Sequence, residues 1–424
     1  MSELSLEQQT QRDIQRDLPW NFTVSMLDTA FIMLGLSMVS RETVMPALVQ
    51  HLTDSKFALG LIPAIYQLGM NLPQLLMANF SERLRYKLPF VLWVAGPGER
   101  GAYLLIALVI WGLAAEAPKL ALVLFFVLLA ITATAIGVAT PAWFDMIAKV
   151  IPVARRGTFS GVSHGLGALL GVAGAALVGW LLTHYPFPNN FALLFGAAFL
   201  SMLVSYGWLA LTREPPSLQL KAYVPLRDYF RQLPAILRRD RNYLRFLVSR
   251  FMIYLGAMAS GFYIAYANER FGIGGAGVGF FTAILVGSGA VMSLVWGLVS
   301  DRLGHKTVLA TAAFALGLAA LSAWLATSQV WLVVTYGLLG AFIAGETTSS
   351  LNICLEFSTP ADRPTYIGLT NTLMAPVLAL APLLGGWLAT IMGYRGLFAV
   401  AAITALVGAL LLTLWVREPR TRTR

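Results

Sequence analysis

Apolar stretches about 20 residues long recur along nearly the whole chain, separated by short polar or Pro/Gly-containing breaks. A helix needs about 20 mostly apolar residues to cross the hydrocarbon core of a bilayer. The composition agrees, since 58% of the residues are hydrophobic and 12% are charged, whereas roughly 25% are charged in a typical soluble domain. This pattern excludes an ordinary soluble domain and indicates an all-α integral membrane protein that crosses the bilayer many times.

The apolar stretches and their breaks predict twelve transmembrane helices in two six-helix bundles. The predicted helices span residues 20–49, 57–80, 88–112, 119–148, 157–183 and 190–212, then 243–268, 275–300, 305–327, 330–356, 364–392 and 396–416. The bundles are therefore expected at 20–212 and 243–416. A polar tail (1–19), a Pro-containing basic linker (213–242) and a basic tail (417–424) surround them, and the linker is expected to hold one surface-lying helix near 226–237.

The basic residues follow the predicted topology. Only Lys56, Lys119, Arg270 and Arg395 fall in loops on one side, and most of the others fall in segments on the opposite side. Lys and Arg are enriched in cytoplasmic loops, so we expect a plasma (inner) membrane protein with both termini in the cytoplasm. A nucleic-acid binder would cluster its basic residues on one face, so no nucleic-acid partner is expected despite the net charge of +10.

Two segments of the first half repeat in the same order in the second half. Residues 78–87 align with 297–306, and residues 156–161 align with 363–368. The tripeptide Gly-Trp-Leu also occurs in both halves, at 179–181 and 386–388. Separate matches in the same order are most simply explained by duplication of a six-helix unit.

The repeated loop after the second helix of each half resembles the signature loop of the major facilitator superfamily of secondary transporters, which reads roughly Gly-x-x-x-Asp-Arg-x-Gly-Arg/His-Lys. The second copy matches at Gly297, Asp301, Arg302, Gly304, His305 and Lys306. The first copy is degenerate: it keeps Arg83 and Lys87, Glu82 replaces the aspartate, and Ala78 and Arg85 stand where glycines are expected. The resemblance covers about residues 20–416. It implies two six-helix bundles, alternating access around a central cavity, and no nucleotide hydrolysis.

The charged residues of these loops are candidates for a conformational latch, meaning a contact made in one transport state and broken in another. A carboxylate at a helix end can accept hydrogen bonds from an Arg or from the first amides of a neighbouring helix. The candidates are Glu82, Arg83 and Lys87 in the first loop and Asp301, Arg302 and Lys306 in the second. The alternative is that the basic residues only set topology.

Ionisable residues within the predicted spans are the main candidates for proton coupling or substrate binding, because their burial in a membrane is costly. Glu99 and Arg100 lie in the middle of the third helix within Gly96-Pro97-Gly98-Glu99-Arg100-Gly101, where the glycines let a neighbouring helix approach closely. Adjacent residues point about 100° apart, so each can have partners on different helices. A purely structural buried ion network is the alternative.

Glu346 lies near the centre of the tenth helix and is followed by four hydroxyl residues and Asn352. Its own helix offers no basic neighbour, so we expect it to face the interior and to bind and release a proton; structural hydrogen bonding is the alternative. Asp28 in the first helix is too deep for its short side chain to reach water easily. Arg250, in the seventh, is expected to reach the cytoplasmic interface along its aliphatic stem.

Further polar and aromatic residues are candidates for lining the cavity. Gln67, Asn71 and Gln74 share one face of the second helix, and His164 and Asn371 occupy repeat-related positions in helices five and eleven. Interhelical hydrogen bonding or, for His164, a structural role are the alternatives. Four aromatic residues of the seventh helix are expected mainly to pack: Tyr254, Phe262, Tyr263 and Tyr266.

The sequence thus predicts a proton-linked secondary transporter of a small organic solute, with an efflux antiporter slightly favoured over an uptake system. The alternatives are a uniporter, a lipid- or lysolipid-translocating protein and a sensor; an enzyme is least expected. No nucleotide-binding Gly-x-x-x-x-Gly-Lys-Ser/Thr sequence occurs, and the single cysteine, Cys354, provides no thiol metal site. We therefore expect no metal and no cofactor beyond a proton gradient, a small-molecule substrate, the lipid bilayer as partner, and a monomer.

Overall fold

A computed structural model describes residues 3–81, 83–217, 240–358 and 363–419. Every regular element in these ranges is helical. Nine of the described helices are long and apolar enough to cross a membrane, so the expected all-α, multi-pass membrane fold is confirmed. The expected surface helix at 226–237 lies outside the described residues.

The helices are named in chain order. In the first half they are α1 Glu3–Met38, α2 Val44–Leu52, α3 Lys56–Ser81, α4 Leu88–Val94, α5 Gly101–Leu113, α6 Pro118–Val150, α7 Val153–His184 and α8 Asn189–Ala210. In the second half they are α9 Arg241–Gly256, α10 Tyr263–Phe271, α11 Gly274–Leu303, α12 His305–Leu325, α13 Val330–Phe357 and α14 Arg363–Leu414. A π-helical segment, Ala95–Arg100, joins α4 to α5, and a 3₁₀ segment, Ala257–Phe262, joins α9 to α10.

The first predicted span differs from the structure at both ends. Helix α1 begins at Glu3, so the polar segment expected to be a tail is largely helical. The helix then ends at Met38, and a turn precedes α2. Pro46 is the third residue of α2. Proline suits the first turn of a helix, where its missing amide costs no hydrogen bond, so its position agrees with a new helix that begins at Val44.

The last two predicted spans lie in one long helix, α14, whose backbone leaves the helical conformation at Gly393. This glycine has φ 71° and ψ 175°, a backbone conformation that glycine adopts without the steric penalty of a side chain. Gly393 lies between the end of the first of these predicted spans, at 392, and the beginning of the second, at 396. The interruption therefore agrees with the predicted boundary.

The described helices group into two compact units. Unit 1 comprises Met1–Val39 and Leu68–Val224, and unit 2 comprises Ser40–Gln67 and Pro225–Arg424. In this grouping α2 and the first half of α3 pack with the second half of the chain. Within unit 2, Thr43 Oγ1 lies 2.7 Å from Thr282 Oγ1, and Asn268 Nδ2 donates to Gln50 Oε1 over 2.8 Å.

Small residues allow close helix packing within each unit. In unit 1 a Cβ atom added to Gly174 of α7 would lie 2.2 Å from Ser37 Oγ of α1. In unit 2 a Cβ atom added to Gly386 of α14 would lie 2.8 Å from the Cα atom of Phe57 in α3. Because glycine has no side chain, such positions let the backbones of two membrane helices approach each other closely.

Candidate functional site

The π-helical segment of unit 1 places Glu99 and Arg100 in a buried cluster with Asp28 of α1. The guanidinium Nη1 of Arg100 donates to Glu99 Oε2 over 3.0 Å, and its Nη2 lies 3.8 Å from Asp28 Oδ1. Asp28, Glu99 and Arg100 are 3%, 7% and 3% exposed. The structure thus brings together three of the predicted candidate residues, and Glu99 and Arg100 do bond each other.

Residues of α8 complete this cluster. Ser205 Oγ donates to Asp28 Oδ1 over 2.6 Å and accepts from Arg100 Nη2 over 3.3 Å. Arg100 Nε donates to the Met202 carbonyl over 3.2 Å. The hydroxyl of Ser205 therefore links the carboxylate of α1 to the guanidinium of the π-helical segment. Ser205 was not among the predicted site residues, because a serine in an apolar helix carries no signal of its partners.

Glycines explain how this π-helical segment fits between its neighbours. A Cβ atom on Gly98 would lie 2.7 Å from the Ala135 Cβ of α6, and one on Gly96 would lie 3.2 Å from the Tyr206 ring of α8. The same Tyr206 ring centroid lies 5.4 Å from the Arg100 guanidinium carbon. The expectation that these glycines permit close approach thus agrees with the packing, and π-helical turns inside α-helices are frequent at functional sites.

The charges of this cluster do not balance when both carboxyl groups are ionised. Two carboxylates and one guanidinium carry a net charge of −1, and all three groups are nearly inaccessible to solvent. An uncompensated buried charge is strongly unfavourable, and a buried group tends to become neutral instead. One exchangeable proton shared by Asp28 and Glu99 would neutralise the cluster.

Unit 2 contains a second buried ion cluster, between Arg250 of α9 and Glu346 of α13. Arg250 Nη2 donates to Glu346 Oε2 over 2.6 Å and to Ser350 Oγ over 2.9 Å, and Nη1 bonds Glu346 Oε1. Tyr254 OH donates to Glu346 Oε2 over 3.0 Å. The Arg250 guanidinium carbon also lies 4.4 Å from the centroid of the Tyr254 ring.

This second cluster changes two expectations. Arg250 does not reach the interface, because its side chain is 0% exposed. Glu346 has a basic partner, supplied by another helix, while 17% of its side chain remains exposed. The pair carries no net charge, so Glu346 is held as one half of an ion pair and not as an isolated acid.

The remaining cavity-lining candidates lie outside both clusters. Gln67, Asn71 and Gln74 are half-buried on α3, and His164 and Asn371 are exposed on α7 and α14. His164 Nδ1 lies 2.8 Å from the Ser160 carbonyl oxygen of its own helix. Their proposed role in lining a cavity stays a prediction.

The aromatic candidates of the seventh predicted helix divide into two groups. Phe262, Tyr263 and Tyr266 are at most 5% exposed and pack among other rings, such as Phe398. This agrees with the expectation that they pack. Tyr254 differs, since its hydroxyl belongs to the Arg250–Glu346 cluster.

The first signature loop has a buried lysine at its end. Lys87 is 1% exposed, and its Nζ lies 3.1 Å from Asp145 Oδ2 of α6. The same ammonium donates to Ser217 Oγ over 2.9 Å. Of the other candidates in this loop, Arg83 is exposed, and Glu82 lies outside the described residues.

Glu214, which follows α8, forms hydrogen bonds with the backbone at the beginning of α4. Its carboxylate accepts hydrogen bonds from the backbone amides of Lys87 and Leu88 at 2.7–2.8 Å. It also accepts from Lys149 Nζ over 2.6 Å. The first amides of a helix have no partner within the helix, so Glu214 satisfies two of them next to the signature loop. Glu214 falls within the predicted linker, and its contact with α4 was not predicted from the sequence.

The backbone that carries Glu214 is held by an asparagine, and unit 2 repeats this arrangement. Asn21 donates from Nδ2 to the Arg213 carbonyl over 3.0 Å and accepts from the Arg213 amide over 2.9 Å. Asn242 makes the same two bonds to Arg417, at 2.9 and 2.8 Å. The tripeptide Arg-Glu-Pro at 213–215 and 417–419 is the sequence signal that could have revealed both.

The second signature loop is arranged differently from the first. Asp301 and Arg302 are exposed, and Lys306 Nζ donates to the Thr413 carbonyl over 3.0 Å. His305 Nδ1 lies 3.1 Å from Ser349 Oγ. The latch role of the loop residues stays a prediction in both units.

Replacing Glu214 by alanine is expected to lower the free energy of unfolding by about 1–2 kcal/mol, because two helix amides lose their partner. The measurement is thermal unfolding of the purified protein in detergent. Glu116→Ala is a suitable control, since Glu116 is exposed in the turn after α5, and its melting temperature should match that of the unmodified protein. Equal melting temperatures for both variants would contradict the role assigned to Glu214.

Membrane-spanning helices that enclose buried ionisable clusters are typical of transport proteins, because such groups mark ion or substrate pathways. A family model, the Major Facilitator Superfamily, matches residues 30–249 and 246–424. The chain therefore belongs to the Major Facilitator Superfamily. The predicted family is confirmed, and the protein is a multi-pass membrane transporter and not an enzyme.

One curated relative, Multidrug resistance protein MdtG of Dickeya zeae (strain Ech586), is 30% identical over 135 residues. The match covers 30% of this chain and 31% of that protein, so it spans about a third of the relative.

Three solved structures share the fold. The nucleoside transporter NupG has a TM-score of 0.72 at 13% identity, with 94% of this chain and 100% of that chain covered. The human organic anion transporter MFSD10 has a TM-score of 0.62 at 16% identity, with coverages of 93% and 99%. The peptide transporter POT in complex with sulfate has a TM-score of 0.68 at 15% identity, with 93% of both chains covered.

Proposed function

We propose that this protein is a proton-linked secondary transporter that exports a small organic solute in exchange for protons. The observation that carries this proposal is the buried cluster of Asp28, Glu99 and Arg100, in which two carboxyl groups share one guanidinium. A bound proton leaves the cluster neutral, and its release leaves one uncompensated negative charge. Coupling to a proton gradient requires that this proton binds with different affinity in the two conformational states. Repacking of the helices around a buried cluster changes that affinity, because it changes the distance between the carboxyl groups and the guanidinium.

The exporting direction is supported by the partial likeness to a multidrug resistance protein. In this proposal the protein lies in the inner membrane with both termini in the cytoplasm and works as a monomer by alternating access. The proton gradient supplies the energy, and no cofactor takes part. Glu346 and Arg250 form the candidate substrate-responsive pair of unit 2, because Glu346 keeps part of its side chain exposed beside a buried guanidinium.

The proposal is tested in two steps with the purified protein. A thermal-shift screen over organic cations, anions and neutral amphipathic solutes identifies a ligand, because a ligand that binds the folded state raises the melting temperature. The protein is then reconstituted into liposomes that contain a pH-sensitive dye. Addition of the solute is expected to move protons across the membrane, and an imposed pH gradient is expected to drive the solute uphill.

Protein-free liposomes provide the control for proton leakage. Solute movement that reaches only equal concentrations and that no pH gradient accelerates would identify a uniporter and overturn the proton-linked proposal.

A further inference from the structure

Unit 2 contains an apolar groove of about 490 Å³ between α11, α12 and α13. Its volume lies within the range of roughly 300–1,000 Å³ that is typical of small-ligand sites. Glycines at two positions, Gly287 and Gly337, create the space, since a Cβ atom at either would meet nothing within 4 Å. Trp296, which is 8% exposed, is the largest side chain of its wall.

The polar groups of this groove already have partners. The Trp296 indole Nε1 donates to the Ala341 carbonyl over 2.8 Å. Ser288 Oγ donates to the Leu285 carbonyl over 3.2 Å. The other lining residues are glycines or apolar side chains. Among its side chains, the groove therefore offers a ligand only the acceptor capacity of the Ser288 hydroxyl. A hydrocarbon chain is the chemistry that fits such an apolar lining.

The rim of the groove is also apolar and exposed. Val291, on the wall of the groove, is 61% exposed, and Leu294 and Leu298 on the same helix are 71% and 63% exposed. In a membrane-spanning helix, exposed apolar side chains of this kind suit contact with lipid acyl chains, which are as apolar as leucine. A bilayer lipid is therefore the occupant that we consider.

Arg302 continues the face of α11 that lines the groove. With 3.6 residues per turn, Ser288, Val291, Val295, Val299 and Arg302 fall on one side of the helix. Arg302 is exposed near the end of α11. At 1.5 Å per residue it lies about 16 Å along the helix axis from Val291. This distance matches one leaflet of a hydrocarbon core about 30 Å thick.

We propose that this groove binds one acyl chain of an anionic phospholipid whose phosphate lies against the Arg302 guanidinium. Arg302 presents a positive charge at the depth where a headgroup lies when the chain of the same lipid reaches Val291. A guanidinium binds phosphate oxygens through paired hydrogen bonds. The proposal does not rest on the proposed transport function, although Arg302 is also one of the latch candidates. It concerns a resident lipid and not a transported solute.

Native mass spectrometry of the detergent-purified full-length protein tests the proposal. The probes are phosphatidylglycerol and phosphatidylcholine with identical acyl chains. The unmodified protein is expected to retain one phosphatidylglycerol at least tenfold more readily than phosphatidylcholine. Arg302→Gln is expected to remove this preference, while Gly337→Leu, which fills the groove, is expected to remove retention of both lipids.

Two further variants keep the test decisive. Gly287→Leu fills the same groove from α11, so it replaces Gly337→Leu should that variant not fold. Gly297→Leu is the matched control, since it adds the same side chain to α11 on the opposite face, at a position with nothing within 4 Å, and it should retain the lipid normally.

Unchanged retention in both groove-filling variants would overturn the proposal. So would equal retention of both lipids by the unmodified protein. A loss of solute binding with unchanged lipid retention in Gly337→Leu would assign the groove to a transported molecule instead.

Discussion

Replacement of Arg100 by leucine is expected to lower the free energy of unfolding by about 3–5 kcal/mol, the usual cost of removing one partner from a buried ion pair. Arg100 is the basic side chain that pairs with Asp28 and Glu99 in the described part of unit 1. Without it, two carboxyl groups remain at a site that is nearly inaccessible to solvent. The measurement is thermal and chemical unfolding in detergent.

The neutral variants Asp28→Asn and Glu99→Gln are the matched comparison. Each leaves one carboxylate for one guanidinium, so each should change the free energy of unfolding by only about 1 kcal/mol, the scale of a single hydrogen bond. In liposomes both should reduce proton-driven transport at least tenfold, because the remaining pair is already neutral and has no need of a proton. Normal proton-driven transport in both variants would remove these residues from coupling and leave the cluster a structural role.

The second large effect is expected at the ion pair of unit 2. Glu346→Gln and Arg250→Leu should each lower the free energy of unfolding by about 3–5 kcal/mol, because each leaves one buried charge without its partner. The guanidinium of Arg250 is 0% exposed, so water cannot replace the missing carboxylate. The expected effect is measured by unfolding of the purified variants under identical detergent conditions.

The double variant Arg250→Leu with Glu346→Leu separates stability from transport. Replacing both charges by apolar side chains is often neutral or stabilising, so we expect it to recover most of the stability lost in the single variants. Solute transport should stay at least tenfold below that of the unmodified protein. A double variant that is stable and also transports normally would show that the pair only holds α9 against α13.

Most of the helices could be predicted from the sequence, because a bilayer requires long apolar segments whose backbone hydrogen bonds are satisfied internally. The exceptions have local causes. The first predicted helix divides before α2, whose first turn contains Pro46, and the third contains a π-helical turn at Pro97. The grouping of residues 40–67 with unit 2 could not be predicted, because the hydropathy of a segment does not show which distant segments it contacts.

Prediction of the site was less complete. Glu99 and Arg100 were found because adjacent charges in the middle of a span are costly and therefore conspicuous. The contacts that these and the other buried charges make with side chains of other segments were not predicted. Ser205 contacts Asp28 from α8, Arg250 pairs with Glu346 from α9, and Glu214 reaches the start of α4 from the segment after α8. These pairs are separated by about a hundred residues or more in sequence, and no short-range pattern encodes them.

The sequence by itself determined that this chain crosses a membrane many times, that its two halves repeat, and which charges lie deep within the spans. These properties follow from the bilayer, which requires long apolar helices, and from the order of residues along each helix. Only the tertiary structure decided how those charges combine. It placed two carboxyl groups around Arg100 in unit 1 and one carboxylate on Arg250 in unit 2, because the balance of a buried cluster depends on which helices pack together.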